Sequence, residues 1–307
     1  MTTVATTTDE MPSFEHVTVM AAEVVHALGP ERGGVYLDVT AGGGGHAAAI
    51  LARAQNARVI AFDRDPRAVL AAERRLAEFG ERALVVHLAF SDVVAWLESA
   101  KMGPVNGLVA DLGVSSQQLA DRERGMSFRS EGPLDMRMDP TSGETARELI
   151  ERVSQDELAD IVYQLGEERR SRRVAACIKQ ALAAGELETT LDLRRAVVRA
   201  VGPRRIGGID PATRTFQALR IAVNRELDEL ATLLAALPAM IAPGGVAAII
   251  SFHSLEDRLV KRAFLERTLW QRLSNKPLTA GDAEREQNPR ARSAKLRAAL
   301  RLAEEGS

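Results

Sequence analysis

The stretch Val35-Tyr36-Leu37-Asp38-Val39-Thr40-Ala41-Gly42-Gly43-Gly44-Gly45-His46, followed by Arg58-Val59-Ile60-Ala61-Phe62-Asp63-Arg64-Asp65-Pro66, decides the fold. An apolar run ends in a carboxylate, passes through a glycine loop and continues into an alanine-rich helix, His46 to Ala54. A second apolar run ends in another carboxylate. Glycines let backbone N–H groups approach a ligand, and an acid at the second strand end accepts ribose hydroxyls, so the pattern reads as a Rossmann-like nucleotide site.

Which nucleotide is less direct. Gly42-x-Gly44-x-x-Ala47 also fits the dinucleotide fingerprint, so NAD and a plain tight turn stand beside S-adenosylmethionine. Asp38 weighs toward S-adenosylmethionine, because a carboxylate at the loop mouth repels a pyrophosphate but suits an ammonium and a sulfonium.

Outward from this core, strand and helix alternate. Strands are expected at Val35–Val39, Arg58–Phe62, Ala83–Leu88 and Gly107–Ala110, with helices at Arg67–Phe79 (capped by Asp65-Pro66) and Val93–Ala100. Such alternation implies a doubly wound parallel sheet whose ligand lies beyond the carboxyl ends of its strands. The glycine loop, Asp63, Phe90 and Asp111 all fall at such ends. After Leu112 helical periodicity takes over, in Gly143–Arg152, Gln155–Leu165, Arg170–Ala184 and Leu191–Val201. One long helix, Thr213–Leu237, is expected to return to the sheet, and Pro243-Gly244-Gly245 to turn into a fifth strand, Val246–Ser251. The fold class is therefore α/β, a Rossmann-like sheet with an inserted all-helical domain. Expected boundaries are a flexible lead-in at 1–13, the sheet domain at 14–112 and 222–307, and the insert at 113–221.

Size and composition fit a soluble protein: 307 residues, 46% hydrophobic and 27% charged, with no apolar run long enough to span a bilayer. The polar segment Thr2–Met11 lacks the features of a signal peptide. The single cysteine, Cys177, excludes an internal disulfide and a cysteine-rich metal site, and points to a cytoplasmic setting. No His/Asp/Glu spacing suggests a metal. The net charge of −2 hides an asymmetry: residues 169–220 and 258–301 each carry 12 Lys/Arg against 4 Asp/Glu, leaving 16 against 34 elsewhere. Two basic segments on an acidic body suggest a footprint for an anionic polymer, although solvated helix faces produce the same counts.

Several longer blocks carry an identity. They include Asp111-Leu112-Gly113-Val114-Ser115-Ser116-Gln117-Gln118-Leu119, Gly132-Pro133-Leu134-Asp135-Met136-Arg137-Met138-Asp139 and Pro211-Ala212-Thr213-Arg214-Thr215-Phe216-Gln217-Ala218-Leu219-Arg220. Others are Ser251-Phe252-His253-Ser254-Leu255-Glu256-Asp257-Arg258 and Asn288-Pro289-Arg290-Ala291-Arg292-Ser293. In order and over nearly all of the chain after His16, they resemble the MraW-type small-subunit ribosomal RNA cytosine-N4 methyltransferases. The resemblance implies S-adenosylmethionine as methyl donor and a target cytidine in the decoding region of 16S (small-subunit) ribosomal RNA. It implies donor contacts at Gly44, Gly45, His46, Asp63, Phe90, Asp111 and Gln118. Departures from the family pattern are His16-Val17-Thr18-Val19 at the start, Leu165 for an aromatic and Asp210 for a histidine; the segment from Lys261 to Asn288 is also short.

Transfer to an exocyclic amine needs an in-line approach and acceptors that orient a poorly nucleophilic nitrogen. Many amino-methyltransferases use an Asp/Asn-Pro-Pro-aromatic block, which this chain lacks, so the N4 assignment comes from the resemblance. Methylation at C5 needs a cysteine, and Cys177 lies in a helical apolar stretch. Asp111, Ser115 and Ser116 are the candidate catalytic residues; Asn224, His253 and Asp257 are candidates on the substrate side. Arg169, Arg170, Arg172, Arg173, Arg204, Arg205, Arg290, Arg292 and Arg297 are candidate phosphate contacts, with Arg204 and Arg205 singled out, in a clamp formed by the insert and the C-terminal tail. A small-molecule methyltransferase, an RNA-binding assembly factor and a dehydrogenase stay as alternatives, and the oligomeric state, monomer or homodimer, is open.

Overall fold

The computed structural model of the chain describes residues 18–203, 208 and 210–303, so the lead-in and the Arg204-Arg205 pair lie outside the described residues. Seven strands form one sheet: β1 (Gly34–Asp38), β2 (Ala57–Asp63), β3 (Ala83–His87), β4 (Val105–Asp111), β5 (Ile241–Ser251), β6 (Trp270–Arg272) and β7 (Lys295–Arg301). Their order is β3-β2-β1-β4-β5-β7-β6. The first five are parallel, and β7 runs antiparallel to both β5 and β6. The order reverses between β1 and β4, which opens a crevice at their carboxyl ends.

The strands are near-continuous apolar runs because both faces are covered. One face packs under α1 (Ala21–Leu28), α2 (Gly45–Arg53) and α3 (Pro66–Leu76), burying Leu28, Ile50 and Leu51 against Tyr36 and Val59. The other face carries α4 (Val93–Ser99) and two later helices, where Leu97, Leu233, Leu237 and Phe264 pack on Leu37, Phe62 and Ile249.

Between β4 and β5 the chain leaves the sheet through α5 (Ser116–Ala120) and forms α6 (Ala146–Arg152), α7 (Gln155–Gly166), α8 (Ser171–Ala183), α9 (Thr190–Val201) and α10 (Thr213–Asn224). These helices close on a separate apolar cluster spanning Leu134 to Leu219, which includes Ile150, Leu158, Val174 and Cys177. Three of them begin with capping boxes: Thr145 with Glu148, Ser154 with Glu157 and Thr189 with Asp192. Such caps satisfy backbone donors that the helix itself leaves free.

Two expectations need correction. The single helix expected over Thr213–Leu237 is two, α10 and α11 (Glu226–Met240), broken at Arg225 with φ 51. The break holds because Asn224 spends its side chain on tertiary partners and because Arg220 forks onto Glu226 across it, at 2.7 and 2.8 Å. The turn expected at Pro243-Gly244-Gly245 lies inside β5, whose register against β4 shifts between Val105 and Gly107. A Cβ on Gly245 would lie 2.9 Å from the Asn106 carbonyl oxygen, so this irregular pairing requires glycine.

The C-terminal basic segment is likewise no free tail. It supplies β7 and follows α12 (Ser254–Ala263), with Arg297 bound to Asp257 at 2.7 Å. Arg290 and Arg297, expected as phosphate contacts, are turned inward with side chains only 12% and 11% exposed, because each faces a carboxylate. Arg292 stays exposed.

Candidate active site

One pocket collects the carboxyl ends of β1, β2 and β4. Its walls include Thr40, Gly42, Gly43, Gly45, His46, Asp63, Arg64 and Phe90 on one side and Asp111, Met138, Glu226, Glu256 and Arg290 on the other. The glycine loop is built around two acids. Asp38 is fully buried beneath it and accepts from Thr40 N and Ala47 N, each at 3.2 Å, bracing the loop at both ends. It therefore acts from behind the loop and not at its mouth. Gly44 takes φ 75 as the N-cap of α2, a conformation that favours glycine. Next to it, a Cβ on Gly45 would fall 1.8 Å from Thr18 Oγ1.

Asp63 sits at the end of β2 and accepts from Gly42 N (2.7 Å) and Asp65 N (2.8 Å), which fixes its carboxylate against the loop. Thr40 Oγ1 accepts from Asp111 N at 2.6 Å and joins the loop to β4. Burial is the first cause that pushes Asp38 up to about 7, with Asp111 and Asp63 adding repulsion, and it pushes Asp63 up to about 6. Of these two acids Asp63 lines the pocket, and a carboxylate pushed up by burial favours a cationic guest. The ammonium and sulfonium of S-adenosylmethionine fit that need, and Asp63 keeps lone pairs for ribose hydroxyls.

Each residue read from the sequence has a definite place. Gly45, His46, Asp63, Phe90, Asp111, Ser115 and Gln118 line the pocket; Gly44 lies one residue behind, in the loop. Gln118 is engaged at both ends, accepting from Ser115 N and donating to Asp65 at 2.9 Å. Asp65 in turn holds the buried Arg124 at 2.7 Å, so the segment after β4 is clipped to β2 beside the loop. Ser115 caps α5 through Gln118 N. Ser116 is exposed on the outside of α5 and does not line the pocket, since the Ser115 cap turns the next residue away.

The three residues expected on the substrate side have other tasks. Asn224 is buried, with Oδ1 accepting from Met138 N (2.7 Å) and Nδ2 donating to the carbonyls of Met136 and Arg220. Its polarity at an apolar helix position serves the α10–α11 break. Asp257 is bound to Arg297 and lies 3.6 Å from Lys295, which ties α12 to β7. His253 is the N-cap of α12, with Nδ1 accepting from Glu256 N and Nε2 lying 3.1 Å from Glu256 Oε1. Asp210, where the family pattern has histidine, receives the Arg194 guanidinium at 2.9 Å and caps Ala212 N.

Sequence reading missed Glu226 and Glu256 and misread Arg290. Arg290 stands 3.4 Å from the Asp111 carboxylate and 4.5 Å over the Phe252 ring. Glu256 is three residues past an N-cap, a spacing that reads as a capping box and hides any second use. Arg64 lines the pocket and donates to the Asn224 carbonyl at 3.1 Å, joining the donor side to the helix break. Glu226, His253 and Glu256 bring potential ligand atoms within 4.8 Å of one another, but Arg220 occupies both oxygens of Glu226.

The chain is similar to known proteins over most of its length. The MraW methylase family matches residues 13–302. The ribosomal RNA small subunit methyltransferase H of Sorangium cellulosum (strain So ce56) is 65% identical over 288 residues, covering 94% of this chain and 91% of that protein. The protein of the same name from Synechococcus sp. (strain JA-2-3B'a(2-13)) is 52% identical, covering 94% and 92%. A solved rRNA methylase from Streptococcus thermophilus aligns over 92% of this chain and 94% of its own at 10% identity, with a TM-score of 0.43. The chain belongs to the MraW methylase family of S-adenosylmethionine-dependent methyltransferases.

Proposed function

We propose that this chain is a cytoplasmic small-subunit ribosomal RNA methyltransferase that methylates the N4 amine of a cytidine in the decoding region of 16S ribosomal RNA. The observation that carries it is the pocket's second wall. Beyond the donor-side loop stand further carboxylates: Asp111 at the end of β4, and Glu256, an acceptor of the kind an exocyclic amine needs. The alternative of methylation at C5 through a cysteine adduct is closed to this chain: its one cysteine is buried on α8, in the insert's core.

S-adenosylmethionine supplies an electrophilic methyl group. The chain's residues do the rest. Asp63 takes the ribose hydroxyls, Phe90 lies on the adenine, and the amides of the Gly42–Gly45 loop approach the methionine carboxylate. Asp111, at the end of β4, faces the cationic end of the donor and offsets its charge, the task that Arg290 gives it in this structure. Met138 and Leu112 keep water from the transfer point. A base buried in folded RNA must be turned out to reach this depth. The exposed arginines of the insert, Arg169, Arg170, Arg172 and Arg173, supply phosphate contacts while it is held. Arg204 and Arg205, singled out in the sequence, lie outside the described residues.

The test is transfer of labelled methyl from S-adenosylmethionine to small subunits lacking the modification, with nucleoside analysis of the product. Label is expected as N4-methylcytidine and is lost in an Asp111→Ala variant that still folds. An enzyme that binds the donor yet labels neither subunits nor free RNA would overturn the proposal.

A further inference from the structure

The carboxylate of Glu256 is divided between two tasks. One oxygen, Oε2, accepts from Phe252 N at 2.8 Å and His253 N at 3.2 Å and so closes the first turn of α12. The other, Oε1, lies 3.1 Å from His253 Nε2. Because His253 Nδ1 accepts from Glu256 N, the ring proton resides on Nε2, which lies close to Oε1 without the alignment of a hydrogen bond. Glu256 is only 2% exposed, yet it forms part of the pocket wall. It sits in the first turn of α12, just past β5, whose end pairs with β4 through Asp111 and Ile250, and it lines the same pocket as Asp111. The His253 contact and the nearby Arg220 hold its carboxyl below the usual range despite burial, so it stays charged. A helix cap needs only one of these oxygens, and any acceptor there would serve. A charged carboxylate with one oxygen, Oε1, left over from the cap at the wall of a methyl-transfer pocket exceeds what capping requires.

We propose that Glu256 is the group that accepts a hydrogen bond from the target N4 amine and takes its proton, and that this contact selects cytidine over uridine. The proposal rests on the amine reading given above. The nitrogen lone pair forms the bond to the methyl carbon as the carbon–sulfur bond breaks, its electron pair staying on sulfur. The nitrogen then carries one proton too many, and that proton passes to Glu256 Oε1 and on to water when the product leaves. The Phe252 and His253 amides orient the carboxylate through Oε2, and the neighbouring His253 ring does not take the proton, since its Nε2 already bears one. Uridine offers a carbonyl oxygen where cytidine offers N–H groups, so a fixed carboxylate repels it.

The test uses Glu256→Gln, which keeps an acceptor oxygen for the α12 cap. With the enzyme saturated with S-adenosylhomocysteine, binding is compared for small subunits bearing cytidine or uridine at the target position. The wild type is expected to prefer cytidine by about 10-fold or more, from the worth of a charge-assisted hydrogen bond. The variant is expected to bring the two within about 3-fold, since an amide can also donate to a carbonyl. Single-turnover transfer to the cytidine substrate is expected to fall about 100-fold or more, in the range of general-base contributions. Affinity for S-adenosylhomocysteine should hold. If the variant does not fold, Glu256→Asp, which keeps the charge but withdraws it by one methylene, is expected to retain the cytidine preference and lose rate.

Wild-type discrimination and rate kept in folded Glu256→Gln would overturn the proposal. A wild-type product other than N4-methylcytidine would instead overturn the amine reading on which it rests, and nucleoside analysis separates the two failures.

Discussion

Asp38 and Asp63 make the donor pocket sensitive to pH in the range where cells live. Both carboxyls are raised, to about 7 and about 6, with burial as the first cause. The folded empty protein thus holds more protons than the unfolded chain between about pH 4 and 7, and its stability falls as pH rises through that window. Binding has the opposite sign: a cationic donor favours the charged acids, so its binding expels protons and strengthens as pH rises. Affinity for S-adenosylmethionine, followed by calorimetry, is expected to increase about tenfold from pH 5.5 to 7.5 by this linkage. Asp38→Asn should flatten the curve. A wild-type affinity that stays level across the range would show that these acids are already charged in the empty protein.

Among the elements, the break between α10 and α11 matters most for the site. Arg225 adopts φ 51 with its side chain exposed, and its ion pair to Asp228 at 3.5 Å joins two solvated groups. Such a surface pair adds little, whereas a left-handed conformation costs a residue with a Cβ about 1 kcal/mol. Arg225→Gly is therefore expected to raise the thermal midpoint by the equivalent of about 0.5–1 kcal/mol. Arg225→Val should lower it by at least as much, because a branched Cβ fits that region poorly. A midpoint lowered by glycine would mean that the exposed Arg225 side chain contributes more than its geometry indicates. The break also places Glu226 in the pocket wall, and an unbroken helix would carry that residue past it.

Over the whole molecule the charge asymmetry divides into two unlike halves. The second basic segment spends Arg290 on Asp111 and Arg297 on Asp257 and gives part of its length to a strand, while Lys261, Arg262, Arg267, Lys276 and Arg292 stay exposed. The first keeps an exposed set, Arg169, Arg170, Arg172 and Arg173, around the start of α8. Reversing Arg172 and Arg173 to glutamate is expected to weaken RNA binding and to reduce its salt slope by about 2, because each arginine withdrawn from a phosphate leaves about one counterion unreleased. Donor affinity should not change. An unaltered salt slope in the double variant would move the RNA footprint to another face.

The five parallel strands, the glycine loop with its two acids and the helical insert are legible in the sequence alone, whereas β6 and β7 are not. The legible elements rest on local signals: apolar runs ending in carboxylates, glycines where backbone must approach backbone, and helical periodicity. The sequence could not separate a polar residue that faces a substrate from one that satisfies the backbone of another element. Asn224 and Asp257 have the residue types of a binding site, yet Asn224 is spent on a helix break and Asp257 on a strand, while His253 caps α12 beside Glu256. Glu256 has the spacing of a cap and reaches the pocket nonetheless. Strand β7 hides in a charged segment because Arg297 pairs with Asp257 and Arg301 donates to the Pro238 and Leu302 carbonyls. Whether a side chain faces its own helix, a distant strand or the ligand depends on which groups long-range packing brings within hydrogen-bond reach. Only the tertiary structure decides that.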